Sequence, residues 1–287
     1  MTALIFSILS SSIIFVLFKL FPRFRVNTLQ AIVVNYGFAA IMGFLMLPDK
    51  ERLQEFEIQP WIWGGLLLGT LFISLFYLMA YTSQHVGISV TSVATKMSLA
   101  IPVVFFSVVD GDHPGTLAWI GVVLALIGVY LASVRETNHQ LRWQSLLFPS
   151  IIFLGSGVID SSLGYAEKHV LSDDFEVALF ACLPFITSFV IGGVFVVRNL
   201  IIGKDKLEIR SVIAGIILAI ANYFSIFYLI KAFSTEGMSR ASVIPVNNIG
   251  VVTVSALAAL ILFKEGFSTK NKIGLLICLL SLVLLVL

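Results

Sequence analysis

Long apolar stretches alternate with short polar breaks along the whole chain. Ten of them fall at about 2–20, 27–47, 61–83, 88–109, 115–134, 145–166, 176–198, 210–232, 240–263 and 268–286. Each is long enough to cross a bilayer core of about 30 Å as a helix. Charged residues gather between them, as in Asp49-Lys50-Glu51-Arg52 and Lys204-Asp205-Lys206. The connections are short, so no soluble domain is inserted. The runs are continuous, not alternating, which excludes a β-barrel. Trp61, Trp63, Trp119 and Trp143 lie near segment ends, where indoles favour the membrane interface.

The pattern also repeats itself. At a shift of 151 residues, Gly64/Gly215, Leu67/Leu218, Ser74/Ser225, Phe76/Phe227, Tyr77/Tyr228, Leu78/Leu229 and Ser83/Ser234 are identical pairs. After a one-residue gap, Gly87-Ile88-Ser89-Val90-Thr91-Ser92-Val93 reads against Gly237-Met238-Ser239-Arg240-Ala241-Ser242-Val243. Weaker matches continue outward: Ser7/Ser156, Ser12/Ser161 and Lys19/Lys168 at 149, and Ile120-Gly121/Ile273-Gly274 at 153. The repeat divides the chain into residues 1–141 and 142–287, with five helices each. An odd helix number makes the second unit enter the membrane from the opposite face. The expected fold is therefore all-α: ten transmembrane helices in two inverted five-helix repeats. Such halves can exchange conformations and open a central site to either side in turn.

Composition agrees with a membrane setting. Hydrophobic residues make up 59% of the 287, charged residues 12%, and the mean hydropathy is +1.03. A soluble domain carries roughly 25% charged residues. The net charge of +2 implies nothing about nucleic acid. Cys182 and Cys278 sit inside apolar runs and read as small buried hydrophobes, not a disulfide or metal site. The histidines fall at or near predicted loops, so no metal-ligand cluster is expected. The N-terminal run lacks a basic region and a clear cleavage site, and reads as a retained helix.

Several features together resemble the drug/metabolite transporter superfamily, and within it the ten-helix EamA-type transporters. Each half carries an acidic residue followed by an Ile-Gly pair whose glycine falls nine residues later: Asp112…Ile120-Gly121 and Glu265…Ile273-Gly274. The Gly-x-Ser-x-x-Ser-Val opening of the fourth helix in each half is also similar to the family. The resemblance implies a solute carrier without ATP hydrolysis, often an exporter of amino acids or related metabolites. It also implies a cavity lined mainly by helices 1, 3, 4, 6, 8 and 9. First helices of the family often carry a Trp-Gly pair, and here Ser10-Ser11-Ser12 stands instead.

Ionisable groups at membrane depth are costly and usually face a cavity or a partner. Lys96, in the fourth segment, and Asp160, in the sixth, stand out. Lys96 falls opposite or next to Asn247, beside Asn248, in the second half; Asp160 falls opposite Ser11. Lys96, Asn247 and Asn248 are therefore candidate substrate-binding residues. Tyr77 and Tyr228, which are repeat mates, join them, as do Tyr81 and Asn222. Asp160 is either a coupling-proton carrier or the ion-pair mate of Lys96. Ser156, Asp160 and Gly164 share one helical stripe, which packing alone would explain except for the carboxylate. Pro102, Pro184 and Pro245 lie inside apolar segments and free a backbone carbonyl each. Pro102 and Pro245 are the candidate gating positions.

No phosphate-binding Gly-x-x-x-x-Gly-Lys-Ser/Thr occurs, and no cofactor is expected. One cation near the cavity suits a carboxylate or zwitterionic solute better than a sugar phosphate, which calls for several basic groups. The expected partners are a small-molecule solute and the lipid bilayer, with a proton as candidate coupling ion and a monomeric state. A bacterial inner (plasma) membrane is the expected location. The competing classes are an intramembrane enzyme and a non-transporting scaffold. Gly155-Ser156-Gly157 superficially resembles a protease serine, but no histidine lies at membrane depth to activate it. An even helix count puts both termini on one side. The surplus of Lys and Arg after odd-numbered helices would put them outside, whereas the resemblance implies the cytoplasm, so the sequence leaves that side open.

Overall fold

The computed structural model describes residues 2–54, 58–134, 136–137, 140–141, 143–233 and 240–285. The helices are α1 (Thr2–Leu20), α2 (Thr28–Leu45), α3 (Trp61–His85), α4 (Ile88–Met97), α5 (Ala100–Val109), α6 (Thr116–Ser133), α7 (Trp143–His169), α8 (Asp174–Ile201), α9 (Ile209–Ala232), α10 (Arg240–Phe263) and α11 (Thr269–Leu284). A short 3-10 turn, Lys50–Gln54, and a two-residue β-ladder pairing Glu136–Thr137 with Gln140–Leu141 complete the described elements. With α4 and α5 taken as one span, nine helical spans are long and apolar enough to cross a membrane among the described residues. The sixteen-residue α11 is shorter, about 24 Å at 1.5 Å per residue. The chain is a multi-pass integral membrane protein.

The predicted fourth segment is two helices, and Pro102 is the cause. It has no N–H for the Ser98 carbonyl, and the Ile101 amide takes that carbonyl instead at 2.9 Å. Ser98 and Leu99 keep right-handed torsions, at φ −55°, ψ −18° and φ −52°, ψ −25°. The result is a local tightening of the helix, directly after Lys96-Met97. By contrast, α8 and α10 run on through Pro184 and Pro245 without a break.

Local sequence sets several helix starts. Asn27 accepts from the Gln30 amide to cap α2, and Asp173 accepts from the Glu176 amide to cap α8. Ser268 and Asn271 form a reciprocal capping box on α11. Gly87, at φ 148°, occupies a backbone conformation that a side chain would oppose, and opens α4 without a side-chain cap of its own.

The helices form two compact units, and each draws on both halves of the sequence. One comprises Met1–Leu20, Leu78–Ser161 and Ala221–Leu287; the other comprises Phe21–Tyr77 and Ser162–Ile220. In the first, α6 and α11 pack lengthwise and antiparallel. A Cβ on Gly121 would meet Leu285 N at 2.9 Å, and one on Gly274 would meet Leu131 C at 2.7 Å. Asn271 Nδ2 donates to the carbonyls of Leu131, Ala132 and Val134 at 3.1, 2.9 and 2.9 Å, and Ser281 Oγ donates to Gly121 O at 2.7 Å. The core of this unit joins Val93, Met97, Ala125, Val129, Phe153, Val252, Cys278 and Leu282. α1 packs along α10 in parallel, with Leu4 beside Val243 and Ile8 against Gly250.

In the second unit, α2 and α8 are antiparallel partners. Gly37 lies against Phe189, Gly43 against Cys182, and Gly192 against Val33. The Tyr36 hydroxyl donates to Phe72 O at 2.9 Å, and its ring packs on Phe76 and Phe185. Trp61, the first residue of α3, is 8% exposed and packs edge-on to Phe180. Trp63 and Trp143 are exposed as expected, at 69% and 81%.

Candidate functional site

Lys96 lies in the last turn of α4, just ahead of the Pro102 distortion, and is half-buried. Its ammonium makes no hydrogen bond and no ion pair with another described residue. Asp160, midway along α7, is exposed. Each charge lies in the other's field, and Ser98 Oγ is 3.4 Å from Asp160 Oδ2. The shorter bond of the Ser98 hydroxyl goes to Thr95 O, at 2.7 Å. The two charged side chains predicted at membrane depth lie in one another's field without forming a salt bridge among the described residues. That leaves both able to take an outside partner.

The remaining candidates separate. Asn247 and Asn248 are buried on α10, at 2% and 7% exposure, and Asn247 Oδ1 has no hydrogen-bond partner among the described residues. A buried amide oxygen without a donor costs roughly 1–3 kcal/mol, so it is primed to accept one. Tyr81 stacks on His85 at 4.0 Å and meets Phe148 edge-on at 5.3 Å. Tyr228 lies in an aromatic group with Phe6 at 5.1 Å and Phe224 at 5.6 Å. Asn222 gives its carbonyl to Ser225 Oγ one turn before Tyr228. All of these belong to the unit that holds Lys96. Tyr77 belongs to the other unit and is 45% exposed. Pro102 lines a cavity of about 570 Å³ together with Phe106, Asp112, His113 and Leu285.

One polar cluster was not anticipated. Lys19 Nζ lies 3.2 Å from Glu265 Oε1, with the Glu265 side chain only 6% exposed. The same oxygen accepts from the Ile88 amide at 3.2 Å, so Glu265 caps α4 from 177 residues away. Lys19 also donates to Gln84 O at 3.2 Å, and Gln84 Nε2 donates to Phe18 O at 3.1 Å. The ends of α1, α3, α4 and α10 are thereby tied together. The signals were present in the sequence as the Lys19/Lys168 repeat pair and the acid of the Glu265…Ile273-Gly274 motif. Nothing local joined them.

The model of the EamA-like transporter family matches residues 1–134. A Haemophilus influenzae protein, described only as uncharacterized, is 29% identical over 287 residues, covering 95% of this chain and 93% of its own. A solved crystal structure, described no further than as that of a protein, shares the fold with a TM-score of 0.55 at 14% identity. That likeness covers 97% of this chain and 95% of the other. The matched family is one of transporters.

Proposed function

We propose that the chain is a secondary transporter that works by alternating access between two inverted five-helix halves, 1–141 and 142–287. The solute is small and carries a carboxylate, as an amino acid does, and the physiological direction is export across a bacterial inner membrane. The observation that carries this reading is Lys96. A cation at membrane depth is expensive unless something neutralises it, and this one has no bonded partner among the described residues. A solute carboxylate supplies one, with Asn247 Oδ1 open for a donor and Asp160 free for an amine or a coupling proton.

Packing supports the inverted halves. α6 and α11 are repeat mates and antiparallel, as are α2 and α8. Their contacts are also reciprocal: Gly121 meets Leu285 and Gly274 meets Ala132, and adding 153 to 121 and 132 gives 274 and 285. Gly157 packs on Ile101, while Gly250 packs on Ile8. At a shift near 150 the glycine and the isoleucine change places.

The test is counterflow in proteoliposomes, loaded with single amino acids and small carboxylates in turn. Wild-type chain exchanges at least one of them saturably, and Lys96→Ala lowers the rate at least tenfold without lowering folded yield. Full exchange by Lys96→Met would sink the assignment of Lys96. Absence of any saturable solute exchange would sink the transporter reading.

A further inference from the structure

Two consecutive glycines stand in α8, and packing accounts for only one. A Cβ on Gly192 would press on Val33 and Ile73, whereas one on Gly193 would meet nothing within 4 Å. Glycine inside a helix is costly relative to alanine. At Gly192 close packing explains it; at Gly193 no contact of the protein does. The space left at Gly193 is the floor of a groove along the outer face of α8. Phe189, Val194, Val197 and Ile201 line it, and its volume is about 570 Å³, within the range of small-ligand sites. These side chains are exposed. α8 is one of the membrane-spanning helices, so the groove opens toward acyl chains.

The groove ends in charge. Arg198, in the last turn of α8, is part of its lining. Glu176 and Arg198 bracket the apolar stretch of the helix and stand 22 residues apart, about 33 Å at 1.5 Å per residue. That is close to the bilayer core of about 30 Å. Arg198 therefore stands at headgroup level, with Gly193 about 7 Å deeper. Beyond Arg198 the chain folds back through Gly203, at φ 69°, and the Lys204 amide donates to Asn199 O at 3.0 Å. Lys204 is thereby held beside the same helix end. Gln30 Nε2 donates to Lys206 O at 2.8 Å and fixes the loop further. The acids of this loop are engaged. Asp205 Oδ2 accepts from Asn199 at 3.1 Å, and both oxygens of Glu208 accept from Arg210. Arg198 and Lys204 are exposed and make no side-chain hydrogen bond or ion pair with another described residue.

We propose that α8 carries a binding site for one phospholipid with an anionic headgroup. The phosphate meets Arg198 and Lys204, and an acyl chain lies in the groove over Gly193. A guanidinium holds a phosphate through two parallel N–H bonds. An arginine that merely snorkels to the interface would need neither the pinned loop nor the glycine floor. A second copy of this chain is the poorer occupant. Two copies related by an axis along the membrane normal would bring their Arg198 and Lys204 clusters together at one depth, like charge against like. The site needs only the membrane setting and is separate from Lys96.

The experiment titrates the purified full chain in detergent with phosphatidylglycerol or with phosphatidylcholine of the same acyl chains, and counts bound lipid by native mass spectrometry. The wild-type chain is expected to hold one phosphatidylglycerol about tenfold or more tightly than phosphatidylcholine. Arg198→Gln should weaken phosphatidylglycerol about fivefold, the worth of one basic residue at a membrane surface, and adding Lys204→Gln should weaken it by a similar factor again. Gly193→Leu fills the groove floor and should weaken it about as much as Arg198→Gln, with the melting temperature in lipid-free detergent unchanged. Lys272→Gln removes an exposed cation on α11, outside the site, and should change nothing. Equal affinity of the wild-type chain for both lipids would overturn the proposal. So would full phosphatidylglycerol affinity in Arg198→Gln, or an equal loss in Lys272→Gln. Full affinity in Gly193→Leu would leave only surface charge and would overturn it as well. A dimer that Gly193→Leu dissolves would make a second copy the occupant in place of lipid. If Gly193→Leu is not monodisperse, Val194→Trp makes the same test one residue on. No solute enters these measurements, so the lipid site and the transport reading stand or fall separately.

Discussion

Gly274 opens the last helix as part of the Ile-Gly pair, and its packing makes a sharp prediction. A methyl group there would meet Leu131 C at 2.7 Å and Ala132 Cα at 2.9 Å. Carbon atoms prefer about 3.5–4.0 Å. The shortfall is with backbone, which no rotamer change can relieve, so α6 and α11 must part. Overpacking of this kind costs about 1–3 kcal/mol. Parting also stretches the three hydrogen bonds from Asn271 to the end of α6, each worth about 0.6 kcal/mol in a membrane protein. Alanine gains about 1 kcal/mol over glycine in helix propensity. The net expectation for Gly274→Ala is a loss of about 2 kcal/mol, or a melting temperature lower by about 4–8 °C for a chain of this size.

The assay can read the same interface. Cys278 is buried on α11, against Gly128 of α6, so its reaction with a thiol-reactive fluorophore reports opening of this helix pair. A Cys182→Ala background removes the other thiol. Gly193→Ala is the control, because a Cβ there meets nothing within 4 Å; its stability should be unchanged or higher. A Gly274→Ala chain as stable as its parent would refute the packing account of the motif. So would an equal loss in Gly193→Ala.

Two further outcomes are expected. Asp160→Asn should fold normally and keep solute-for-solute exchange but lose accumulation driven by a pH gradient; normal gradient-driven uptake would remove the proton role. The Asp173 carboxyl is held below its ordinary value of 3.8 by the Glu176 amide and then by the Arg52 guanidinium 3.0 Å away. A depressed carboxyl contributes stability above its unfolded value and loses it as pH falls through the folded one, so Asp173→Asn should flatten the acid limb of the stability curve below about pH 4; an unchanged acid limb would count against the pairing.

The spans were legible because bilayer thickness imposes one length on every apolar run. The stretch predicted at 240–263 is α10 to the residue, and 2–20 is α1. The kink at Ser98–Leu99 followed from Pro102, since a missing N–H acts on its own chain. That α10 runs unbroken past Pro245 did not follow. That proline removes one hydrogen bond, the one to the Ala241 carbonyl, without ending the helix. That Trp61 packs on Phe180 did not follow, because hydropathy cannot say which face of a helix meets a neighbour. Lys96 and Asp160 could be picked out since charge inside an apolar run is conspicuous. Lys19 and Glu265 could not. A lysine at the end of a span reads as snorkelling to the interface, and a glutamate in a loop reads as solvated. Their partnership is a tertiary fact between residues 246 positions apart.

The repeat offers a way to separate fixed scaffold from the rest on the proposed reading. Where a contact and its mate are both kept, as Gly121 with Leu285 and Gly274 with Ala132, the pairing does not depend on which side is open. Such contacts should persist through the cycle, and their glycines are constrained by packing alone. Where the backbone repeats but the side-chain contact does not, as at Glu265 and Asp112, the shared turn does not dictate the contact. Sequence comparison of the halves sees the first kind and the second alike, as matched motif positions. Only the contacts tell them apart: Glu265 caps α4 and meets Lys19, whereas Asp112 is exposed.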